Sequence, residues 1–245
     1  MNEEQRRQQA YNELHQQDEL RFPKEDYPVF CSWLNIPHSG SGLSLLDIAC
    51  GQGFFLEAAA DAAPELRLNG VDFSSVALEF AKKRAPRADL KLGSAYELPY
   101  SDASFDYCVN LGSMEHFDTP EPAVREMSRI LKPTGKAMVI VPNQYYLGSI
   151  WRALAYGESE EQGQEGLTHF RTTEEWKSLF LDNGLDVLGI QGYSGEDHIA
   201  WYFKRKNGLV TDAERHWRQV LDTFVKPLIP LNLAQCFVIF LKRQM

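Results

Sequence analysis

Two acids and two glycines form the first arrangement in this chain whose types and spacing suggest chemistry. Asp47 lies in the apolar run Leu45-Leu46-Asp47-Ile48-Ala49, which leads into Cys50-Gly51-Gln52-Gly53 and a helical pattern from Phe54. A second apolar run, Leu68-Asn69-Gly70-Val71-Asp72-Phe73-Ser74, also closes on an acid. A carboxylate at a strand end can accept hydrogen bonds from both hydroxyls of a ribose, and glycine lets the backbone approach a ligand closely. The pattern predicts a βαβ unit that holds an adenosine-containing cofactor. Asp72 has a second role open to it, as a cap for the chain at Ser74-Ser75.

A dinucleotide site needs glycine at the first, third and sixth positions of the turn. Counted from Gly51, the third position is Gly53 but the sixth is Leu56, and no phosphate-loop Gly-Lys-Ser/Thr follows. The turn therefore suits a ligand without phosphates. S-adenosylmethionine fits, with its carboxylate near a helix amino terminus worth about 0.3–1 kcal/mol.

The elements that must position these residues alternate from residue 43 to about 190, the signature of a mostly parallel sheet flanked by helices. Strands are predicted at Ser44–Ala49, Leu68–Phe73, Leu90–Gly93, Tyr107–Leu111, Ala137–Pro142, Asp186–Ile190 and Cys236–Leu241. Helices are predicted at Phe54–Ala62, Ser74–Ala85, Pro122–Leu131 and Thr173–Asn183. Ser74 and Thr172 are natural N-caps, the latter in a capping box with Glu175. Pro133-Thr134-Gly135 is expected to be the turn into the fifth strand. The polar segment Glu3–Leu20 and the amphipathic stretch Thr211–Val225 add helices outside this core.

The chain has 245 residues, a formal net charge of −9, 44% hydrophobic and 24% charged residues. Its short basic clusters, such as Lys82-Lys83-Arg84, argue against a nucleic-acid partner. No apolar run is long enough to span a bilayer, and the polar opening residues predict a cytoplasmic protein without a secretory signal. Cys31, Cys50, Cys108 and Cys236 show no metal-ligand spacing and are expected as buried free thiols; no metal is expected.

Taken in order, these segments resemble the class I S-adenosylmethionine-dependent methyltransferases, in particular the small-molecule branch of the ubiquinone and menaquinone type. The residues that carry the resemblance are Leu46-Asp47-Ile48-Ala49-Cys50-Gly51-Gln52-Gly53, Gly70-Val71-Asp72-Phe73-Ser74, Gly93-Ser94-Ala95-Tyr96-Glu97-Leu98-Pro99-Tyr100, Ser104-Phe105-Asp106-Tyr107, Met114-Glu115-His116-Phe117 and Arg125 through Gly135. The resemblance covers roughly residues 43–190. It implies a Rossmann-like α/β fold with a seven-stranded, mostly parallel sheet, an antiparallel last strand beside Asp186–Ile190, helices on both faces and cap insertions. It implies one domain, with a core at about 43–190 and 234–243 and a cap from 1–35, 143–172 and 192–232. The family commonly has glycine where Ala49 stands and aspartate where Ser94 stands.

Carried onto matching positions, the resemblance implies that Asp47, Ala49, Gly51 and Gly53 line the methionine end of the cofactor. Asp72 takes the ribose, Phe73 flanks the adenine, Ser94 and Ala95 meet its edge, and Asn110 and Leu111 pass beneath the sulfonium. His116 contacts the cofactor or accepts a proton, or else caps the pocket structurally; a similar implication attaches to His169, beside Arg171. Tyr146, Trp151, His169 and Phe170 fall after the fifth strand, where an aromatic lid suits a planar or apolar acceptor; a hydrophobic minicore tying the insertions together explains them equally well. The expected activity is methyl transfer to a small molecule at oxygen, nitrogen or carbon, releasing S-adenosylhomocysteine. Protein or nucleic-acid methylation and non-catalytic cofactor binding are the alternatives.

Overall fold

The computed structural model describes residues 9, 12, 13, 22–143, 145, 146, 149, 150, 153, 154, 171–194 and 230–244. Strand β1 (Ser44–Ile48) is buried along its whole length because it has neighbours on both edges and helices on both faces. The sheet has seven strands, in the order β3-β2-β1-β4-β5-β7-β6. The first five are β1, β2 (Arg67–Asp72), β3 (Asp89–Leu92), β4 (Phe105–Leu111) and β5 (Leu131–Pro142), joined by parallel pairings. The last strand, β7 (Cys236–Arg243), runs antiparallel between β5 and β6 (Leu185–Tyr193), beside β6 as expected.

Side-chain alternation along the strands divides the core in two, since successive residues point to opposite faces. Leu46, Cys108, Val139 and Ile239 face helices α4 (Pro120–Ile130) and α5 (Thr173–Asp182), in a layer that includes Met127, Trp176 and Phe180. Leu45, Val109, Ile140 and Val238 face the other way, toward helices α1 (Asp26–Trp33) and α2 (Phe54–Ala62), with Phe30, Phe55 and Leu56. Helix α3 (Ser75–Arg84) connects β2 to β3.

The local signals set most boundaries. Ser74 Oγ accepts from Ala77 N at 3.1 Å, and Thr172 and Glu175 form the expected reciprocal capping box. Some expected boundaries change. Pro133-Thr134-Gly135 does not precede β5 but lies inside it, where the register against β4 shifts between Phe105 and Tyr107. Proline cannot donate to the ladder, so the strand bulges there and resumes regular pairing at Lys136. Helix α4 likewise begins at Pro120, two residues before the predicted start, because proline suits the first helical turn.

Strand order reverses at β1: the chain leaves toward β2 and β3, then returns to β4 on the opposite side. Ligands of open α/β sheets bind at such a reversal, outside the carboxyl ends of the strands. The crevice between the ends of β1 and β4 is therefore the place to examine.

Candidate functional site

The β1–α2 turn is held in a shape that most residues avoid. Ala49, Gly51 and Gly53 have φ of 57°, 51° and 80°. For Ala49 the left-handed conformation costs about 1–2 kcal/mol, which the surrounding bonds must offset. At Gly53 a Cβ would come within 2.9 Å of Ala81 Cα on α3, so glycine is required there by close helix packing as well as by φ.

Asp72 locks this turn. Its Oδ2 accepts from Gly51 N at 2.8 Å and its Oδ1 accepts from Ser74 N at 2.8 Å. The capping role open to Asp72 is thus real, and it joins the end of β2 to the turn after β1. A carboxylate offers about four acceptor positions, so these two bonds do not exhaust its capacity for a ribose diol. Asp47 is also buried, and burial, followed by the nearby negative charge of Asp72, raises its carboxyl well above the ordinary range. Burial, with a contribution from Asp47, pushes the Cys31 thiol of α1 up to about 12. All four cysteines are buried free thiols.

Asn110 spans the crevice. Its Nδ2 donates to Ile48 O at 2.9 Å and its Oδ1 accepts from Met114 N at 3.0 Å. The side chain thereby fixes the short 3-10 helix Met114–His116 against the end of β1. Leu111 follows at the end of β4 and is partly buried. His116 Nε2 lies 3.6 Å from Glu115 Oε1, and both side chains are largely enclosed. Phe117 meets Tyr96 edge-to-face at 5.5 Å, which brings the Ser94-Ala95-Tyr96 loop to the same edge of the sheet. In that loop Ser94 Oγ accepts from Tyr96 N at 3.2 Å, and Ala95 packs on the core. Arg129 of α4 anchors the loop's continuation through Glu126, Asp102 and the carbonyls of Leu98 and Tyr100. Its hydrogen bond to Glu126 is the chief cause of that carboxyl's lowered pKa.

The structure thus gathers Asp47, Ala49, Gly51, Gly53, Asp72, Phe73, Ser94, Ala95, Asn110, Leu111 and His116 at the carboxyl ends of β1 through β4. Tyr146 is buried shortly after β5. Trp151, His169 and Phe170 lie outside the described residues, as do Tyr156, His198, Trp201 and the stretch Thr211–Val225.

Two further residues belong here that sequence reasoning did not single out. Phe22 lies over Gly112, where a Cβ would come 3.1 Å from its ring. Tyr27 stacks on Phe54, the first residue of α2, with ring centroids 5.7 Å apart. One short segment therefore touches both banks of the crevice, the start of α2 and the end of β4. It is held in place by packing of Phe22 and Phe30 on Tyr193 and by a hydrogen bond from the Tyr193 hydroxyl to Asp26. The only advance signal was two aromatics at the edge of a polar amino-terminal region. A separate groove of about 770 Å³ between α5 and β6 is lined by Lys177, Leu181, Val187 and Leu188 and is remote from this crevice.

An adenosine ligand fits what is present: a strand-end carboxylate, a left-handed turn at a helix start, and a side-chain bracket at the strand reversal. Asp47, Gly51, Gly53, Asp72 and the Ser94 loop are the residues available to hold S-adenosylmethionine, which would supply an electrophilic methyl group.

Comparison with known proteins agrees. A methyltransferase-domain family model matches residues 46–139. A probable S-adenosylmethionine-dependent methyltransferase of Mycolicibacterium smegmatis is 34% identical over 109 residues, covering 44% of this chain and 42% of that protein. A demethylmenaquinone methyltransferase of Bacillus licheniformis is 27% identical over 191 residues, covering 69% and 81%. Among solved structures, the geranyl diphosphate C-methyltransferase of Streptomyces coelicolor, bound to S-adenosyl-L-homocysteine, superposes with a TM-score of 0.60. It is 18% identical and covers 88% of this chain and 78% of its own, so it speaks to the fold. With the turn, the strand order and these matches together, the chain is similar to the class I S-adenosylmethionine-dependent methyltransferases.

Proposed function

We propose that this protein transfers the methyl group of S-adenosylmethionine to oxygen, nitrogen or carbon of a small, planar or apolar acceptor. The observation that carries this reading is the placement of Phe22 and Tyr27 over the two banks of the crevice, which gives the methyl-transfer side an aromatic wall. Such a wall favours flat, weakly hydrated molecules. The relatives named for demethylmenaquinone and geranyl diphosphate are named for small-molecule acceptors.

In this reading Asp47, Ala49, Gly51 and Gly53 serve the methionine end, Asp72 the ribose, and Phe73, Ser94 and Ala95 the adenine. Asn110 and Leu111 floor the transfer site. His116 and His169 are the proposed catalytic histidines, and Tyr146, Trp151, His169 and Phe170 border the acceptor. Methyl transfer needs mainly alignment and exclusion of water, which is why no nucleophile–base triad is required. Two features weigh against a nucleic-acid or protein substrate. The formal net charge is −9, and Asn110-Leu111-Gly112-Ser113 lacks the Asn/Asp-Pro-Pro-Tyr/Phe pattern that grips a planar amide or exocyclic amine.

The test combines calorimetry with a turnover screen. S-adenosylmethionine and S-adenosylhomocysteine should bind while nicotinamide dinucleotides do not, and S-adenosylhomocysteine should accumulate with some member of a panel of phenols, amines and quinone precursors. Tight dinucleotide binding in place of adenosylmethionine would sink the assignment. Cofactor binding with no turnover on any acceptor, small or macromolecular, would favour a binding module.

A further inference from the structure

Trp176 and Arg171, at the start of α5, each hold a buried N–H with no acceptor among the described residues. The Trp176 side chain is fully enclosed, yet its indole Nε1 makes no hydrogen bond there. Enclosing a donor without a partner is costly. Phe180, stacked on Trp176 at 6.1 Å, shows that the same layer takes an aromatic ring without that cost. The Arg171 guanidinium carbon lies 5.6 Å from the indole ring centre, and its Nε is likewise buried and unpaired. Glu175 lies close enough for Arg171 to help lower its carboxyl, after the bonds from Thr172, but its Oε2 is committed to the cap of the helix. The first turn of this ten-residue helix adds the positive end of its dipole. The place matters as much as the donors. Thr173 Oγ1 donates to Asn232 Oδ1 at 3.3 Å, and Asn143 Nδ2 donates to Asn232 O at 2.9 Å and to Ala234 O at 2.8 Å. Asn143 directly follows β5, so α5 opens at the carboxyl edge of the sheet, beside the strand that neighbours β4. Trp176 also shares a core layer with Met114, which begins the 3-10 helix at the end of β4.

We propose that Arg171 and the Trp176 indole N–H bind a carboxylate of the acceptor, so that the acceptor is an organic acid whose apolar body crosses the end of β5 toward the methyl group. This deepens the methyl-transfer reading and rests on it. A carboxylate has two oxygens and accepts from a guanidinium and an indole together, and hydrogen bonds to charged partners are the stronger kind. A neutral apolar molecule would leave both donors as they are. The formal net charge of −9 repels an acid at a distance, so an acidic acceptor needs a local cation, which Arg171 supplies. Neighbouring strands lie about 4.8 Å apart, so an acid held beside the end of β5 has a short reach to the end of β4.

The test uses nuclear magnetic resonance on the full-length protein, isotope-labelled at the tryptophan nitrogens and saturated with S-adenosylhomocysteine. Benzoate, benzamide and inorganic phosphate are titrated in turn, and the Trp176 indole signal is identified as the one missing from Trp176→Phe. Benzoate should shift that signal to saturation, and benzamide should bind at least about 10-fold more weakly, as expected when a charge-assisted bond is lost. Arg171→Gln should weaken benzoate binding by at least about 10-fold, and Arg171→Lys, which keeps the charge, by less. S-adenosylhomocysteine affinity, measured by calorimetry, should stay within about 3-fold in both variants, which also certifies that they are folded. No shift with benzoate, equal binding of benzamide, or full benzoate affinity in Arg171→Gln would overturn the proposal. Phosphate binding as tightly as benzoate would overturn it too, by showing a site for free anions rather than for the acceptor. Each of these results leaves methyl transfer standing, whereas failure of the wild type to bind S-adenosylhomocysteine or S-adenosylmethionine would defeat the reading beneath it.

Discussion

At the scale of single residues, two carboxylates share one turn and do different things to it. Asp72 supplies acceptors to Gly51 N and Ser74 N, so Asp72→Ala should act twice. Cofactor binding should weaken by about 1.5–3 kcal/mol, and the apo protein should melt earlier as two backbone donors lose a charged partner. Calorimetry and thermal melts separate the effects: a lowered Tm with an unchanged Kd would leave Asp72 a structural residue only. Asp47 makes the opposite case, because burial and Asp72 raise its carboxyl above the unfolded value of 3.8. The folded state then holds the proton more tightly than the unfolded one. Its contribution to stability is complete below the unfolded pKa and is lost as pH rises through the folded pKa. Asp47→Asn should therefore gain stability relative to the wild type as pH rises from 4, in melts of the cofactor-free protein. Asp106 has the reverse sign. Burial alone would raise it, but bonds from Lys132 and Ser44 outweigh that and lower it, so its contribution disappears in acid. Asp47, Asp72 and the glycines were legible in the sequence because each lies in a local apolar run or in the turn that follows it. The approach of Phe22 to Gly112 was not, because that ring comes from a segment far earlier in the chain.

At the scale of elements, α1 and the residues leading into it are what turn a bare strand edge into an enclosed site. Phe30 is fully buried, packed at 5.3 Å against Trp33 and 5.2 Å against Tyr193, and this joins α1 to the end of β6. Phe22 is the member of that cluster that reaches Gly112, just past the end of β4. Phe22→Ala should raise the acceptor KM about tenfold, equivalent to ~1.4 kcal/mol, and change S-adenosylhomocysteine affinity little. A matched loss of cofactor affinity would show instead that Phe22 supports the turn. Strand and helix positions follow from periodicities of two and 3.6 residues, which explains why α2 was predicted to the residue and β1 within one. The β5 bulge and the docking of α1 depend on partners distant in sequence. Proline and glycine mark a break in either a turn or a bulged strand, and only the neighbouring β4 decides between them.

At the scale of the whole molecule, the sheet is closed by the strand that comes last. The resemblance to known methyltransferases gave β7 its antiparallel direction; its place between β5 and β6 is what makes it indispensable. Cys236, Phe237, Val238, Ile239 and Leu241 are each at most 5% exposed, and they contribute to both core layers. Burial of a large apolar side chain contributes about 1.5–3 kcal/mol, so these residues together rival the ~5–15 kcal/mol net stability of a typical domain. Removing β7 would also strip the hydrogen-bonding edges of β5 and β6 at once and expose them to pairing with other chains. A protein truncated after Leu233 should therefore lose the cooperative thermal transition and S-adenosylhomocysteine binding, and should aggregate, although every residue proposed to touch the cofactor is still present. Retention of a sharp transition and near-native cofactor affinity by that truncation would mean that β1 through β5, with their helices, fold as an independent unit. The crevice would then owe its geometry to the first five strands alone.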